Sequence, residues 1–327
     1  MIYTVTLNPA VDYYMTMDEF KQGELNTINE GYTMAGGKGI NVSKVLKNCG
    51  ITSTALGFLG GFTGYFIRND IKNHGMIHEM EILTGFTGDY LKTSVEHYGI
   101  TDKFVEISEK TRINIKIKTD EIESEIAGIA PNIKKKEYEA FLKTLETIKK
   151  GDTLVLSGSV PKTLSEMIYK EIIEKVPEGV KIILDTRGQA FIHALGEKIF
   201  LVKPNQNEVG EFFGEKYETL DELIAAGKKL QKMGAENVII SRGKDGSILL
   251  TKDEVYIGNV PNGKLVSSVG SGDSMIAGLI YGLEHDLSVT DSYKYAIAAG
   301  SATAFKQGLA NIDDIKALLK DIKIEKK

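Results

Sequence analysis

The stretch DTLVLSG, residues 152–158, is a short and almost continuous apolar run that ends in small residues. Such a run is typical of a strand in a parallel sheet that is buried on both faces. Comparable runs recur as IYTVTL (2–7), TALGFLG (54–60), VKIILDT (180–186), IFLVKPN (199–205) and NVIISRG (237–243). Longer amphipathic stretches lie between them, including INVSKVLKNCG (40–50), YEAFLKTLETIKK (138–150) and LDELIAAGKKLQKM (220–233). The sequence therefore predicts an α/β fold of three layers, with a mostly parallel central sheet flanked by helices.

Two segments depart from this alternation of buried strands and helices. Residues of about 12–35 and 103–126 alternate apolar and polar side chains, which is the pattern of half-exposed antiparallel strands. We expect these segments to form a small β flap over one edge of the main sheet.

The chain also contains one internal repeat. GFTGYFIRNDIKNHGM (61–76) recurs 24 residues later as GFTGDYLKTSVEHYGI (85–100). Solenoids need at least three stacked units, so two copies indicate a local duplication that adds one turn and one helix. We expect an insertion on the outside of the fold, without a functional role.

Composition limits the classes of function. The chain has 327 residues, 42% of them hydrophobic, and a formal net charge of −5, which gives no broad basic surface for nucleic acid. No apolar run reaches the ~18 residues of a membrane span, and the first residues do not resemble a signal peptide. A single cysteine, Cys49, can form no internal disulfide. These features lead us to expect a cytoplasmic protein.

The glycines of VGSGDSMIAG (269–278) stand where a helix begins, and they leave backbone N–H groups uncovered for a phosphate. Asp273 follows them directly. It could take a proton from an acceptor hydroxyl while the N–H groups hold a transferring phosphoryl group, or it could simply cap the helix. The decapeptide alone leaves both interpretations open. The chain contains neither a P-loop nor a G-x-G-x-x-G fingerprint, so a P-loop or dinucleotide-binding fold is not predicted.

A second glycine cluster lies in AGGKGINVSKVL (35–46). Its glycines permit close backbone approach, Lys38 adds a cation, and Asn41 can bond to hydroxyls, which suits a sugar phosphate better than a plain turn. In TRINIKIK (111–118), strand alternation places Arg112, Asn114 and Lys116 on one face, where they could grip a phosphate or form a solvated surface. Asp12, which follows a strand in TLNPAVDYY, could accept hydrogen bonds from a polyol.

Two further motifs follow apolar strands. VKPNQNEVG (202–210) offers Asn205 and Glu208 just past a strand's carboxyl end, where open α/β sheets bind ligands, and Glu208 could hold Mg²⁺ through water. SRGKDG (241–246) is a glycine turn that suits either a nucleotide or a hairpin. His74 and His78 are four residues apart, but Gly75 interrupts their helix, so no metal is expected there.

Taken in order, TLNPAVD, GGKGINVSKVL, GFLGGFTG, TRINIKIK, LSGSVP, KPNQNE and SVGSGDSMIAG resemble the motifs of the ribokinase-like PfkB sugar kinases. The resemblance covers nearly the whole chain. It implies one ribokinase-like kinase domain over residues 1–327, with a β-sheet lid at about 12–35 and 103–126 that also forms a homodimer contact. The activity it implies is the ATP- and Mg²⁺-dependent phosphorylation of the C6 hydroxyl of fructose 1-phosphate.

The same resemblance implies a role for each matching residue. Asp273 would be the proton acceptor, and Gly270, Ser271 and Gly272 would form the anion hole. Asn205 and Glu208 match a motif associated with Mg²⁺ and the phosphates of ATP. Ser241, Gly243 and Gly246 would border the nucleotide. The sugar phosphate would contact Asp12, Gly37, Lys38, Asn41, Arg112 and Asn114.

The chain departs from the family pattern in two places. Members run directly from one GGFTG helix to the TRIN strand, whereas the repeat intervenes here, and either copy could take the usual position. In ESEIAGIAP (123–131) the pattern has Asn at Ala127 and Pro-Gly at Ile129 and Ala130.

The nearest alternative to this activity is that of a tagatose-6-phosphate kinase, whose motifs overlap with those quoted above. A catalytically idle sugar-phosphate sensor is an alternative of another class, although it would have no need for Asp273, and a nicotinamide oxidoreductase lacks its fingerprint.

Overall fold

The computed structural model describes residues 1–72, 100–120, 122–196 and 199–327. Its strands are β1 Ile2–Thr6, β2 Ala10–Thr16, β3 Glu30–Gly36, β4 Ser53–Gly60, β5 Ile100–Asp102, β6 Val105–Ile107, β7 Arg112–Lys118, β8 Glu123–Ile126, β9 Thr153–Ser157, β10 Lys181–Asp185, β11 Ile199–Val202, β12 Ala235–Ser241, β13 Ser247–Leu250, β14 Val255–Gly258 and β15 Ile324–Lys326. Its helices are α1 Lys38–Asn48, α2 Gly61–Lys72, α3 Lys135–Thr144, α4 Ile168–Lys175, α5 Gln189–Ala194, α6 Gln206–Phe213, α7 Leu220–Lys232, α8 Ser271–Glu284, α9 Val289–Ala304 and α10 Ile312–Leu318.

The main sheet has the strand order β15-β14-β13-β12-β11-β10-β9-β1-β4-β5, with β6 also pairing with β4. From β12 to β5 all neighbours run parallel, and β13, β14 and β15 continue the sheet in antiparallel fashion. The chain leaves β1 toward β4 on one side and later returns to β9 on the other side. This reversal is a topological switch point, and open α/β sheets bind ligands at the carboxyl ends of the strands beside it.

Helices cover both faces of this sheet, as the near-continuous apolar strands predict. On one face, Ile2, Val155, Ile183 and Leu201 pack with residues of α1, α8, α9 and α10. On the other face, alternate strand residues pack with α3, α4, α5, α6 and α7. The predicted three-layer α/β architecture is confirmed.

A separate small sheet has the order β3-β2-β7-β8. Its strands come from the two segments whose side chains alternate, but two details of the prediction are wrong. β2 and β7 pair in parallel, because the chain passes through α1, β4 and α2 between them. Val105–Ile107 joins β4 in the main sheet, since the buried Ile107 packs in the main core.

Helix α2 belongs to the first copy of the 24-residue repeat and follows β4 directly. The second copy lies outside the described residues, except for Ile100. Asp70 of α2 is buried, forms an ion pair with the buried Lys44 of α1, and accepts a hydrogen bond from the backbone N–H of Ala35 at 3.0 Å. The second copy has Ser94 at the position that corresponds to Asp70. At this position of the repeat, therefore, the first copy has an acid and the second has a hydroxyl.

This difference predicts unequal stability for two single-copy chains of the same length. We expect a chain lacking residues 75–98, which keeps Asp70, to remain more stable than a chain lacking residues 61–84, which keeps Ser94. Removing one partner of a buried ion pair costs ~3–5 kcal/mol of unfolding free energy. Urea denaturation followed by circular dichroism measures the difference, and Ser94→Asp in the second chain should recover part of it. Equal stability of the two chains would show that Asp70 does not distinguish the copies.

Among the described residues, no helix is both long enough and apolar enough to cross a membrane.

Candidate active site

Four polar side chains form a row along the carboxyl edge of four adjacent parallel strands. Strand register aligns Thr6 with Ser157 and Ser157 with Asp185, while Lys203 follows the last residue of β11 at the level of Asp185. All four are buried. Because side chains alternate along a strand, they lie on the face that α1 and α8 cover. The hydroxyl oxygens of Thr6 and Ser157 have no hydrogen-bond partner within the described part of the chain.

Asp185 forms salt bridges with two lysines, Lys203 of this row and Lys38 of α1. Lys38 Nζ lies 3.2 Å from Asp185 Oδ2, and Lys203 Nζ lies 3.5 Å from Asp185 Oδ1. Burial acts to raise the pKa of Asp185, but the charges of Lys203 and Lys38 outweigh it and hold that pKa below its ordinary value. Asp185 therefore stays ionised and holds two ammonium groups at the switch point of the sheet.

The two helices that point at this row begin without a side-chain cap. α7, α9 and α10 begin after Thr219, Ser288 and Asn311, whose side-chain oxygens accept a hydrogen bond from the first turn. α1 and α8 instead begin after Gly37 and Gly270. Gly270 has φ 78°, in the left-handed region that favours glycine. No side chain caps the first N–H groups of α1 and α8, and apart from Ser271 N, which donates to Ser268 O at 3.3 Å, they are left for an anion.

Asp273 is the third residue of α8 and is 5% exposed. Its Oδ2 accepts a hydrogen bond of 2.7 Å from Asn41 Nδ2 of α1. Burial raises the pKa of Asp273 to about 6, with Asp185 adding to the rise and Lys38, Asn41 and Lys203 opposing it. A carboxylate with such a pKa can accept a proton near neutral pH.

Lys203 also lies against the first turn of α8. A Cβ at Gly272 would stand 3.0 Å from Lys203 Nζ, so glycine lets this ammonium lie close to the first turn of the helix. Ser271 donates its hydroxyl to Ser268 O at 2.9 Å, which fixes the turn that leads into the helix. The uncapped N–H groups and the ammonium of Lys203 together form a site for a strongly negative group.

The small sheet supplies polar groups on the other side of Asn41. Asn114 Nδ2 donates to Asp12 Oδ1 at 2.8 Å, and Arg112 Nη2 donates to Asn8 O at 3.1 Å. Burial raises the pKa of Asp12, although Lys116, Asn114 and Arg112 oppose the rise. Strand register keeps Asp12 beside Asn114 on one face of the sheet.

Residues predicted to contact the nucleotide gather at the carboxyl ends of β11 and β12. Asn205 caps α6: its Oδ1 accepts from Glu208 N at 2.9 Å, and Glu208 Oε2 accepts from Asn205 N at 2.8 Å. Ser241 N donates to Pro204 O at 3.1 Å, which places the turn carrying Gly243 and Gly246 beside this cap. The pKa of Lys38 is raised, because the charges of Asp185 and Asp273 outweigh the effect of its burial. Glu208 lies near enough to Lys38 to add to this rise.

A cleft of about 460 Å³ separates the polar face of the small sheet from the start of α8. Asn41 and Gly270 line its wall on the core side, and Tyr14, Tyr32 and Lys116 line the wall formed by the small sheet. The volume is within the usual range of ligand pockets, about 300–1,000 Å³. A small polar ligand in this cleft would reach Asn41, whose amide contacts Asp273.

Asp185 and Lys203 are not predicted as site residues from the sequence, and neither are the hydroxyls of Thr6 and Ser157. Each is a polar residue at the end of a largely apolar strand, and only the register of four strands brings them into one row. A usable signal exists, because each is the polar residue that ends or directly follows its buried run on the same face.

Comparison with known proteins identifies the class. The model of the pfkB family of carbohydrate kinases matches residues 5–85 and 84–316, and the two matches meet where the second copy of the repeat begins. The ribokinase of Arabidopsis thaliana, solved with ribose and ATP, has a TM-score of 0.72 and 20% identity over 98% of both chains, which shows the fold alone. The fold is therefore ribokinase-like, as the resemblance implies.

Sequence relatives extend over the whole chain. The 1-phosphofructokinase of Bacillus subtilis (strain 168) is 39% identical over 325 residues, which is 99% of each chain. The 1-phosphofructokinase of Borreliella burgdorferi is 41% identical over 326 residues, covering 99% of this chain and 98% of the relative. The chain belongs to the pfkB family of carbohydrate kinases.

Proposed function

We propose that the protein transfers the γ-phosphoryl group of ATP to the C6 hydroxyl of fructose 1-phosphate, giving fructose 1,6-bisphosphate and ADP. One observation carries the proposal: the buried carboxylate of Asp273 stands at an uncapped helix N-terminus with Lys203 against the same turn. Similarity over the full length to proteins named 1-phosphofructokinase supports the choice of sugar.

Asp273 would act as the base in this reaction. Its Oδ2 is bonded to Asn41, so its Oδ1 would take the proton of the C6 hydroxyl. The sugar oxygen then forms a bond to the γ-phosphorus, the bond from that phosphorus to the β-phosphate oxygen breaks, and ADP leaves with the electron pair. The N–H groups of Gly270, Ser271 and Gly272 and the ammonium of Lys203 would stabilise the charge that spreads over the phosphoryl oxygens.

ATP would lie at the carboxyl ends of β11 and β12, against Asn205, Ser241, Gly243 and Gly246. Magnesium ions in such sites keep most of their waters and bind chiefly to the phosphates of the substrate. Glu208 fits this arrangement, because one of its oxygens serves the cap of α6 and the other can accept a magnesium-bound water. When bound, Mg²⁺ would neutralise phosphate charge.

The sugar phosphate would occupy the region between α1 and the small sheet. Asp12 and Asn114 would bind hydroxyls, since both present polar atoms on the sheet face beside the cleft. Lys38 and Arg112 would hold the phosphate already present on the sugar. Lys38 is the first residue of α1, which begins without a side-chain cap, and Arg112 lies against Asn8 O just before β2. The C6 hydroxyl, at the opposite end of the sugar from this phosphate, would then lie at Asp273.

We also propose that the small sheet is a lid and a dimer contact within a single kinase domain. Lys118 Nζ of β7 donates to Val266 O at 2.6 Å, so the sheet reaches the segment that leads into α8. The face of the small sheet opposite to Asp12 and Asn114 is apolar, and Ile113 and Ile126 are 42% and 53% exposed there. A second copy of the sheet would cover this face. Analytical ultracentrifugation tests this, and a mass of one chain at micromolar concentration would contradict it.

The substrate is tested by ADP release from Mg·ATP with four sugar phosphates side by side: fructose 1-phosphate, tagatose 1-phosphate, tagatose 6-phosphate and fructose 6-phosphate. We expect the highest kcat/KM with fructose 1-phosphate. A preference for tagatose 6-phosphate would make the chain a tagatose-6-phosphate kinase. Binding of fructose 1-phosphate by calorimetry without ADP release would indicate a sensor instead.

A further inference from the structure

Asn41 is the direct polar contact of Asp273. Its amide nitrogen donates to Oδ2, and no other hydrogen bond or salt bridge joins the Asp273 carboxylate to the described residues. Oδ1 is therefore left without a partner from the described protein. The two residues sit in the first turns of α1 and α8, which pack against each other and fix their separation.

The surrounding charges act from a greater distance. Lys38 of α1 and Lys203 beyond β11 both lie against Asp185 of β10 and form no salt bridge with Asp273. Glu208 of α6 acts on Lys38. A carboxylate that is 5% exposed has little water to solvate it, so its one neutral donor decides which oxygen carries the free lone pairs.

We propose that Asn41 is a positioning residue for the base: its amide holds Oδ2 of Asp273 and thereby directs Oδ1 toward the acceptor hydroxyl. This role rests on the proposed function and is additional to the sugar contact that the family resemblance implies. Binding of the sugar alone would not require the amide of Asn41 to donate to Asp273.

The two roles make different predictions for pH dependence. A hydrogen bond to the charged form of a carboxyl lowers its pKa, so loss of the amide donor should raise the pKa of Asp273 by about one to two units above its value of about 6. The base is active when it is ionised, so the acid limb of kcat/KM should move to higher pH. Loss of a sugar contact alone would raise KM and leave that limb in place.

The experiment compares Asn41→Leu and Asn41→Asp with the unaltered enzyme. The matched control is Asn48→Leu, because Asn48 lies on the same helix about two turns from Asn41 and donates to Ala310 O at 3.1 Å rather than to Asp273. With saturating Mg·ATP, we expect the acid limb for fructose 1-phosphate to shift upward in Asn41→Leu and further in Asn41→Asp, where a second carboxylate faces the first. Asn48→Leu should lose stability without moving the limb.

A second readout needs no turnover. The side-chain carboxyl carbon of Asp273, labelled with ¹³C and assigned by its absence in Asp273→Asn, can be titrated by NMR in the free enzyme. We expect its midpoint near pH 6 in the unaltered chain and at higher pH in both Asn41 variants. A midpoint that does not move overturns the positioning role even if the kinase is active. An enzyme that releases no ADP while the midpoint moves would refute the proposed function and leave the contact with Asp273 established.

Discussion

Asp273→Asn is expected to lower kcat by ~10²–10⁴-fold while KM for ATP changes little. The amide that replaces the carboxylate cannot accept the proton of the sugar hydroxyl, whereas the backbone N–H groups at Gly270, Ser271 and Gly272, which we propose hold the phosphoryl group, are unchanged. The measurement is steady-state ADP release with fructose 1-phosphate, together with calorimetric binding of ATP to the variant.

The matched control for this variant is Asp291→Asn. Asp291 is the third residue of α9, as Asp273 is of α8, but it takes part in an exposed helix cap with Ser288. We expect this control to keep kcat and to lose a little stability. If Asp273→Asn also kept a near-normal kcat, Asp273 would not be the base and would only stabilise the start of α8.

The sequence was sufficient to predict most of the fold and the position of Asp273 at the start of α8. Continuous apolar runs such as residues 152–158 fix a parallel sheet, because only a strand buried on both faces tolerates them. The uncapped start of α8 could be predicted because glycines stand where other helices of the chain have Thr, Ser or Asn. Both signals are local, and a local signal survives without knowledge of the partner strand.

The remaining part of the site depends on pairing between distant strands. Ser157 and Asp185 are 28 positions apart in sequence and adjacent in register, and no local pattern reports that neighbourhood. The parallel pairing of β2 with β7 is likewise set by the path of the chain through α1, β4 and α2, and alternation alone does not distinguish it from antiparallel pairing. The buried ion pair of Lys44 with Asp70 holds the first copy of the repeat against the core. It too joins two segments whose sequences, taken separately, do not indicate the contact.

Lys203→Met is expected to reduce kcat by ~10²–10³-fold, which is the usual loss when a donor to developing transition-state charge is removed. Lys203 is 4% exposed, and its ammonium lies beside Gly272 at the start of α8. A methionine fills a similar volume without the charge. Lys38 remains to pair with Asp185, so the fold should be retained with a modest loss of stability, which a thermal melt would record.

Charge and geometry at this position can be separated with Lys203→Arg. The guanidinium keeps the positive charge but is larger and planar, so partial activity would show that charge accounts for part of the effect and the exact position of the donor for the rest. The kinetic split is informative as well. A loss confined to KM for ATP would mean that Lys203 binds the nucleotide equally before and during transfer, whereas a loss in kcat places its contact in the transition state. A kcat within threefold of the unaltered enzyme in Lys203→Met would contradict any part for this lysine in phosphoryl transfer.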